Sequence, residues 1–324
     1  VTEDLRHSLS AIGNLQVTEG APLAARTRFG IGGPAAILAE TADVRSFTEA
    51  LEAARASGMP VAVIGGGTNL IVADEGFPGV VLRFTSNRIA ARENRIAADA
   101  GAELDELVSC AVELGLGGLE TLAGIPGWVG GAVYGNAGAY GRSISEAVSR
   151  VTCTDGRQLV TLSNAECGFG YRASVFKRRK DWVILTAELR LEQADRNQLE
   201  RTAAEIRQVR DRKFPPAMKC AGSIFKNLVL ADLPGPASAQ APESVVREGK
   251  APAAWFLEQV GAKGMAVGGI RVADHHANLL YNAGGGTARD LVALIAELKS
   301  RVRDRFGIEL EEEVQYVGFK ERVK

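Results

Sequence analysis

Residues 61–72 read VAVIGGGTNLIV: an apolar run, three consecutive glycines, a Thr-Asn pair and a second apolar run. The residues just past the glycines set the fold class. A Rossmann dinucleotide site requires GxGxxG opening a helix. Here Leu70-Ile71-Val72 returns to strand-like sequence, so the loop joins strand to strand. Without side chains such a loop can turn several backbone N–H groups onto one anion, typically a phosphate; its plainer reading is a tight turn. Upstream, DVRSFTEALEAARASG places Val44, Phe47, Leu51 and Ala54 at helical spacing, and Gly58 and Pro60 stop the helix. Downstream, GVVLRF is a second strand. Helix, strand, loop and strand in succession predict mixed α/β or α+β architecture.

Further along, Leu104, Leu107, Val108, Ala111 and Leu114 give a helical stripe that runs into GIPGWVGGAVYGNAGAYG, Gly124–Gly141. Its glycines stand at 124, 127, 130, 131, 135, 138 and 141, with Ile125, Val129 and Val133 between them. That is too apolar for a flexible linker. It is either a glycine-kinked helix or turn packed in a core, or main chain pressed against a ligand. Two such loops in one chain suit a ligand carrying both a diphosphate and a flat apolar ring.

RVTCTDGRQLVTL reads as a hairpin, with Asp155-Gly156 supplying two φ > 0 positions. DWVILTAELRL is a long alternating strand, and a charged helix spans about 197–212. The stretch Leu228–Ala254, rich in Pro, Ala and Ser, is expected to be a surface excursion. A final helix is framed by a Thr287/Asp290 capping box and Gly307, with Leu291, Ile295, Leu298 and Val302 as its stripe. IELEEEVQYVGF then reads as a strand, with Glu311 and Glu313 on one face and Glu312 on the other, a pattern usual for a solvated edge.

Composition narrows the function. The chain has 324 residues, enough for two or three domains, with 46% hydrophobic and 24% charged residues. A formal charge of −1 gives no broad surface for nucleic acid or anionic lipid. No apolar run reaches the ~18–20 residues that span a bilayer, and VTEDLRHSLS lacks a signal-peptide layout. Cys110, Cys153, Cys167 and Cys220 have no CxxC spacing, which suits free thiols in a cytoplasmic setting. Three histidines, two of them adjacent, do not make a zinc site.

Two further stretches carry reactive side chains. FGYRASVFK sets Arg172 between Tyr171 and Phe176, either snorkelling over aromatic rings or acting as a pocket cation for an anion or enolate. CAGSIFKN holds Ser223 without a GxSxG elbow, so it is no hydrolase nucleophile. It is either a turn serine or a proton donor.

Together, TRFGIGGPA, VIGGGTNLIV, GLGGLETLAGIPGWVGGAVYGNAGAYG, FGYRASVFK, KFPPAMKCAGSIFKN, GAKGMAVGGIRVADHHANLLYN and LEEEV resemble the UDP-N-acetylenolpyruvoylglucosamine reductase (MurB) family, in family order from Thr27 to Val314. The resemblance implies an α+β protein of three domains: an FAD-binding fold of the PCMH or vanillyl-alcohol oxidase type plus an α+β substrate domain. The expected boundaries are 1–84, with 314–324 returning to it, then 85–212 and 213–313. FAD would be held by Gly65, Gly66, Gly67, Thr68, Asn69 and Leu70 at the diphosphate. Along the flavin would lie Leu122, Ala123, Gly124, Ile125, Pro126, Gly127, Gly130, Gly131, Ala132, Asn136 and Gly138.

The implied reaction reduces the enolpyruvyl double bond of UDP-N-acetylglucosamine enolpyruvate for peptidoglycan synthesis, with NADPH as co-substrate. By motif position Arg172 would polarise the substrate carboxylate, Glu313 would assist it and Ser223 would protonate C2. Tyr140, Tyr171, Lys213, Lys226 and Asn227 would contact substrate, and Lys226 could also support Ser223. A cytoplasmic monomer acting on a small molecule, with no metal, nucleic acid or membrane, is expected.

Some positions depart from the family pattern. Leu228 stands where proline is usual, and Trp128 and Gly135 replace other residues of the flavin segment. Arg172 and Ser223 lie only 51 positions apart, which resembles the type II form without a tyrosine-bearing lid. Two rivals remain on sequence: another flavin oxidoreductase of the same fold, such as a sugar or alcohol oxidase, and a sugar-nucleotide-binding protein without catalysis.

Overall fold

The computed structural model describes residues 3–233 and 241–319. The chain forms two compact units. One comprises the chain up to Ala21, Ala35–Gly66 and Pro78–Arg212; the other comprises Pro22–Pro34, Gly67–Phe77 and the chain from Lys213 onward.

The first unit is built on two sheets. One has the order Gln16–Pro22, Pro34–Thr41, Phe77–Phe84, Val61–Val63, and its Val61–Val63 strand runs parallel to Val80–Leu82. The expected helix is Val44–Ala56; Asp43 caps it by accepting from the Ser46 N–H at 2.8 Å, and it buries Phe47, Ala50, Leu51 and Ala54. An earlier helix, Glu3–Ser10, buries Leu5 and Leu9. Its two apolar positions are too few to stand out in sequence.

The second sheet of this unit has five strands in the order Leu159–Ser163, Val148–Thr154, Val183–Arg190, Arg95–Asp99, Ile89–Arg92. Val183–Arg190 lies at its centre. Its first three residues are all buried and only its second half alternates, because a central strand is covered on both faces. The hairpin Val148–Thr154/Leu159–Ser163 closes through the four residues 155–158. Only Gly156 has positive φ, at 90°. The expected two-residue turn is therefore corrected. Asp155 instead accepts from the N–H groups of Arg157 (2.9 Å) and Gln158 (3.0 Å), a side-chain-closed turn that needs no second left-handed residue.

The second unit centres on an antiparallel sheet of order Cys220–Ser223, His276–Asn282, Ile270–Ala273, Ala266–Val267. The helix Ala288–Phe306 has the expected stripe, with Leu291, Leu294, Ile295, Leu298 and Val302 all buried. At roughly 1.5–3 kcal/mol per fully buried aliphatic side chain, this face outweighs any propensity term. Thr287 and Asp290 form the capping box, and Gly307 closes the helix at φ 68°. A second cap comes from distant sequence: Asp74 accepts from the N–H groups of Ala288 (2.8 Å) and Arg289 (3.0 Å). Asp74→Ala is expected to lower stability by about 1–2 kcal/mol, read as a fall of a few degrees in Tm.

The excursion after Asn227 contains short regular pieces. Leu228–Val229 pairs with Lys250–Ala251, and the helix Ala253–Gln259 comes next. Residues 234–240 lie outside the described residues.

The expected strand through Leu310–Val314 is also corrected, since regular pairing begins only at Gln315–Val317, parallel to Leu70–Val72. Before that the chain changes partner too quickly to be a strand. Lys226 N–H donates to the Glu311 carbonyl (2.9 Å), Glu313 N–H to that of Ile224 (2.7 Å), and Gln315 N–H to that of Asn69 (3.0 Å). Nor is the acidic run a uniformly solvated edge. Glu312 pairs with Lys299 at 2.9 Å, their side chains only 14% and 16% exposed.

Candidate active site

In the first unit, the Val61–Val63 strand ends in Ile64-Gly65-Gly66. The N–H groups of Gly65 and Gly66 have no acceptor among the described residues. The Gly65 carbonyl takes two bonds from the Arg83 guanidinium, at 3.3 and 3.2 Å. Arg83 also pairs with Glu40 and lies 4.6 Å from the Trp128 ring centroid. Trp128 Nε1–H donates to Glu103 at 2.8 Å, and the ring would come within 3.1 Å of any Cβ at Gly66. A cation, an indole and a glycine thus fix one end of the loop.

The Gly124–Gly141 segment begins at Gly124 (φ 71°), whose N–H donates to Asp105 at 2.7 Å; Asp105 is itself held by Arg207. Trp128 precedes the helix Val129–Gly135, and Asn136 ends it in the left-handed region at φ 45°. The glycines then divide into two kinds. A Cβ on Gly130 would lie 2.8 Å from that of Ala100, and one on Gly138 2.6 Å from the Arg142 carbonyl oxygen, so these two permit close internal packing. At Gly131 and Gly135, four apart on one helix face, a Cβ would meet nothing within 4 Å. Leu122 and Ala123 are fully buried, main chain included, while Tyr140 is 54% exposed.

Arg172 is brought to this segment. At φ 52° it donates to the carbonyls of Gly138 (2.7 Å) and Asn136 (3.4 Å), and the Tyr171 ring centroid lies 5.4 Å from its guanidinium carbon. Asn136 donates in turn to the Gly170 carbonyl at 2.8 Å. The glycine segment and the arginine loop are therefore tied together through main-chain carbonyls.

In the second unit, Gly67 has φ 67°, and a Cβ there would fall 1.7 Å from the Arg26 carbonyl oxygen. Asn69 Nδ2 donates to the Glu313 carbonyl at 3.0 Å. Glu313 N–H donates to Ile224, the residue after Ser223. The structure thus joins three sequence-distant stretches: the end of the glycine loop, the serine strand and the acidic run. Lys226 pairs with the exposed Glu311. Asn227 Oδ1 accepts weakly from the Ala253 N–H, at 3.4 Å. The Lys213 carbonyl is bonded to His275 Nε2 at 2.9 Å. Beside it, burial together with the charge of Lys213 pushes the His276 imidazole down to about 3, which keeps it neutral.

The FAD binding domain signature matches residues 35–161, and that of the UDP-N-acetylenolpyruvoylglucosamine reductase C-terminal domain matches residues 214–317. A UDP-N-acetylenolpyruvoylglucosamine reductase of Solibacter usitatus (strain Ellin6076) is 61% identical over 310 residues, 96% of this chain and 99% of its own. The chain belongs to the UDP-N-acetylenolpyruvoylglucosamine reductase family. A Bacillus licheniformis reductase is 33% identical over 309 residues, 94% of this chain and 95% of its own. The crystal structure of the Thermus caldophilus reductase (MurB) superposes with a TM-score of 0.71 at 30% identity, covering 94% of this chain and 98% of that one.

As a reductase of this family with an FAD-binding domain, the chain is an FAD-dependent oxidoreductase with the expected α+β fold. Its residues fit that cofactor. Unpartnered N–H groups at Gly65 and Gly66 suit phosphate oxygens, and the bare helix face at Gly131 and Gly135 leaves room for a flat ring. Arg83, Glu103 and Asp105 do not stand out in sequence, because each acts on a distant glycine or tryptophan rather than within a motif. Among the described residues no cluster of His, Cys, Asp and Glu could hold a metal, and no helix is long and apolar enough to cross a membrane.

Proposed function

We propose that this reductase converts UDP-N-acetylglucosamine enolpyruvate to UDP-N-acetylmuramate for peptidoglycan synthesis, drawing its electrons from NADPH. The observation that carries this reading is the direct linkage of Asn69, Glu313 and the serine strand, which sets a hydroxyl donor and a carboxyl group on adjoining main chain. An oxidase of alcohols or sugars has no use for that pair.

When bound, FAD supplies the hydride that adds to C3 of the alkene. Gly65 to Leu70 would hold its diphosphate by main-chain donors. The flavin-segment residues from Leu122 to Gly138 would line its ring. Negative charge then grows at C2 and on the adjacent carboxylate, where fixed donors are worth most.

Arg172 would take that carboxylate, its plane already set by the Gly138 and Asn136 carbonyls. Ser223 would give its hydroxyl proton to C2. Glu313 would help only while it carries a proton, donating to the same oxygens. Lys226 would support the serine oxygen; it is paired with Glu311, whose side chain is exposed. Tyr140, Tyr171, Lys213 and Asn227 would receive the sugar and diphosphate. In this reading the domains are 1–84 with 314–324, 85–212 and 213–313. The enzyme is of the lid-less type II form and acts in the cytoplasm.

Steady-state assay of the purified chain tests this. NADPH oxidation should require the enolpyruvyl sugar nucleotide, with UDP-N-acetylmuramate formed in equal amount. Oxidation driven by O₂ alone, indifferent to the sugar nucleotide, would replace the reductase reading with an oxidase.

A further inference from the structure

The Cys220–Ser223 strand pairs with His276–Asn282 as far as Ser223 opposite Leu279, after a bulge at Gly222 (φ 72°). Beyond that point the ladder does not simply continue. Ile224 N–H still reaches the Asn278 main-chain carbonyl at 3.0 Å. Phe225 bonds to the side chain of Asn278 instead: its N–H donates to Oδ1 at 2.9 Å, and its carbonyl accepts from Nδ2 at 2.8 Å. On the opposite edge, the Ile224 carbonyl and the Lys226 N–H are taken by Glu313 and Glu311.

The carboxamide of Asn278 therefore stands in for a strand. It presents one donor and one acceptor in a plane, as a peptide group does. Phe225 is 1% exposed and Asn278 2%, so no solvent replaces these bonds when the carboxamide is removed. With one edge of residues 224–226 fixed by Asn278, the other edge is held in register for the acidic run.

We propose that Asn278 is a positioning residue, which sets the register of the serine strand against Glu311–Glu313 and thereby the placement of Ser223 relative to Glu313. This rests on the roles proposed for Ser223 and Glu313 in the reductase reaction. It assigns Asn278 no contact with substrate; its action is through the main chain of Phe225. Alanine removes both bonds. Aspartate keeps the volume and the acceptor for Phe225 N–H, but turns a second acceptor toward the Phe225 carbonyl.

The test uses the full-length FAD-loaded enzyme with Asn278→Ala and Asn278→Asp, and Ser223→Ala as reference. Flavin reduction by NADPH should stay within about twofold of the unaltered enzyme. Reoxidation by the enolpyruvyl sugar nucleotide should slow about 100-fold in Asn278→Ala, the scale of a misplacement near 1 Å, and less in Asn278→Asp. Its solvent deuterium isotope effect should rise as proton delivery becomes limiting. Amide exchange should accelerate at Lys226 and Glu313 while Leu280, in the strand behind, keeps its protection.

Equal slowing of both half-reactions, unchanged reoxidation, or a uniform loss of protection would each overturn the proposal. If Asn278→Ala does not retain FAD, Asn278→Asp is judged by the same outcomes. Should Ser223→Ala itself reoxidise at the unaltered rate, the proton-donor reading falls. Amide exchange at Lys226 and Glu313 then decides the register claim alone.

Discussion

Ser223→Ala should slow the substrate half-reaction by about 10²–10⁴-fold, the usual worth of a positioned general acid, while reduction of the flavin by NADPH stays nearly intact. The asymmetry comes from where the proton is needed. In the proposed reaction C2 of the enolpyruvyl group would accept it only after hydride has reached C3, so the hydroxyl would have no task while NADPH is bound. Ser223 is half-buried at a strand end beside the Gly222 bulge, and losing one oxygen there leaves the ladder to Leu279 in place. Rapid mixing of each half-reaction separately makes the measurement. Equal slowing of both would remove Ser223 from proton transfer.

A glycine pair gives the second large effect. Gly67→Ala must place a methyl group 1.7 Å from the Arg26 carbonyl oxygen at φ 67°, a conformation that alone costs a side chain roughly 1–2 kcal/mol. The Gly67 carbonyl also holds Arg28 N–H at 3.1 Å, so the loop cannot shift without breaking that bond. The variant should purify with little FAD and melt well below the parent, whether or not flavin is added.

Gly131→Ala is its counterpart. A methyl group there meets no protein atom within 4 Å, and alanine is the better helix former by roughly 1 kcal/mol. The apoprotein should be as stable as the parent or slightly more so, with FAD affinity reduced if the added carbon stands on the face proposed for the ring. Flavin titration beside thermal melts reads both. Undiminished affinity in Gly131→Ala would move the flavin away from that face.

This division shows what sequence carried and what it did not. The glycine-dense segment announced itself, yet nothing in its spacing separates Gly130 and Gly138, which admit neighbouring protein atoms, from Gly131 and Gly135, which face open space. The terminal helix was legible end to end, because Thr287, Asp290 and Gly307 act within a few residues of one another or of the helix they close. Its second cap, Asp74, was not; that bond spans more than two hundred positions.

LEEEV read as a strand because its residue types alternate suitably. The chain there divides its hydrogen bonds between residues 224–226 and Asn69, a fact of tertiary pairing that alternation does not encode. Asn278 was hidden for a related reason, since within HANLLYN it looks like one polar residue in a buried strand. Arg172, Ser223 and Glu313 are proposed through motif resemblance alone. The carbonyls that orient the Arg172 guanidinium, and the main-chain bond from Glu313 to Ile224, are visible only in the fold.

In the proposed mechanism the FAD held by this chain passes its electrons from NADPH to the enolpyruvyl sugar nucleotide, with Ser223 as proton donor. The decisive experiment is anaerobic. The purified, flavin-loaded chain is bleached with one equivalent of NADPH, and UDP-N-acetylglucosamine enolpyruvate is then added. Full return of the yellow absorbance is expected, with one UDP-N-acetylmuramate formed per flavin. A chain that takes up no flavin, or one whose colour returns only when oxygen is admitted, would refute this mechanism.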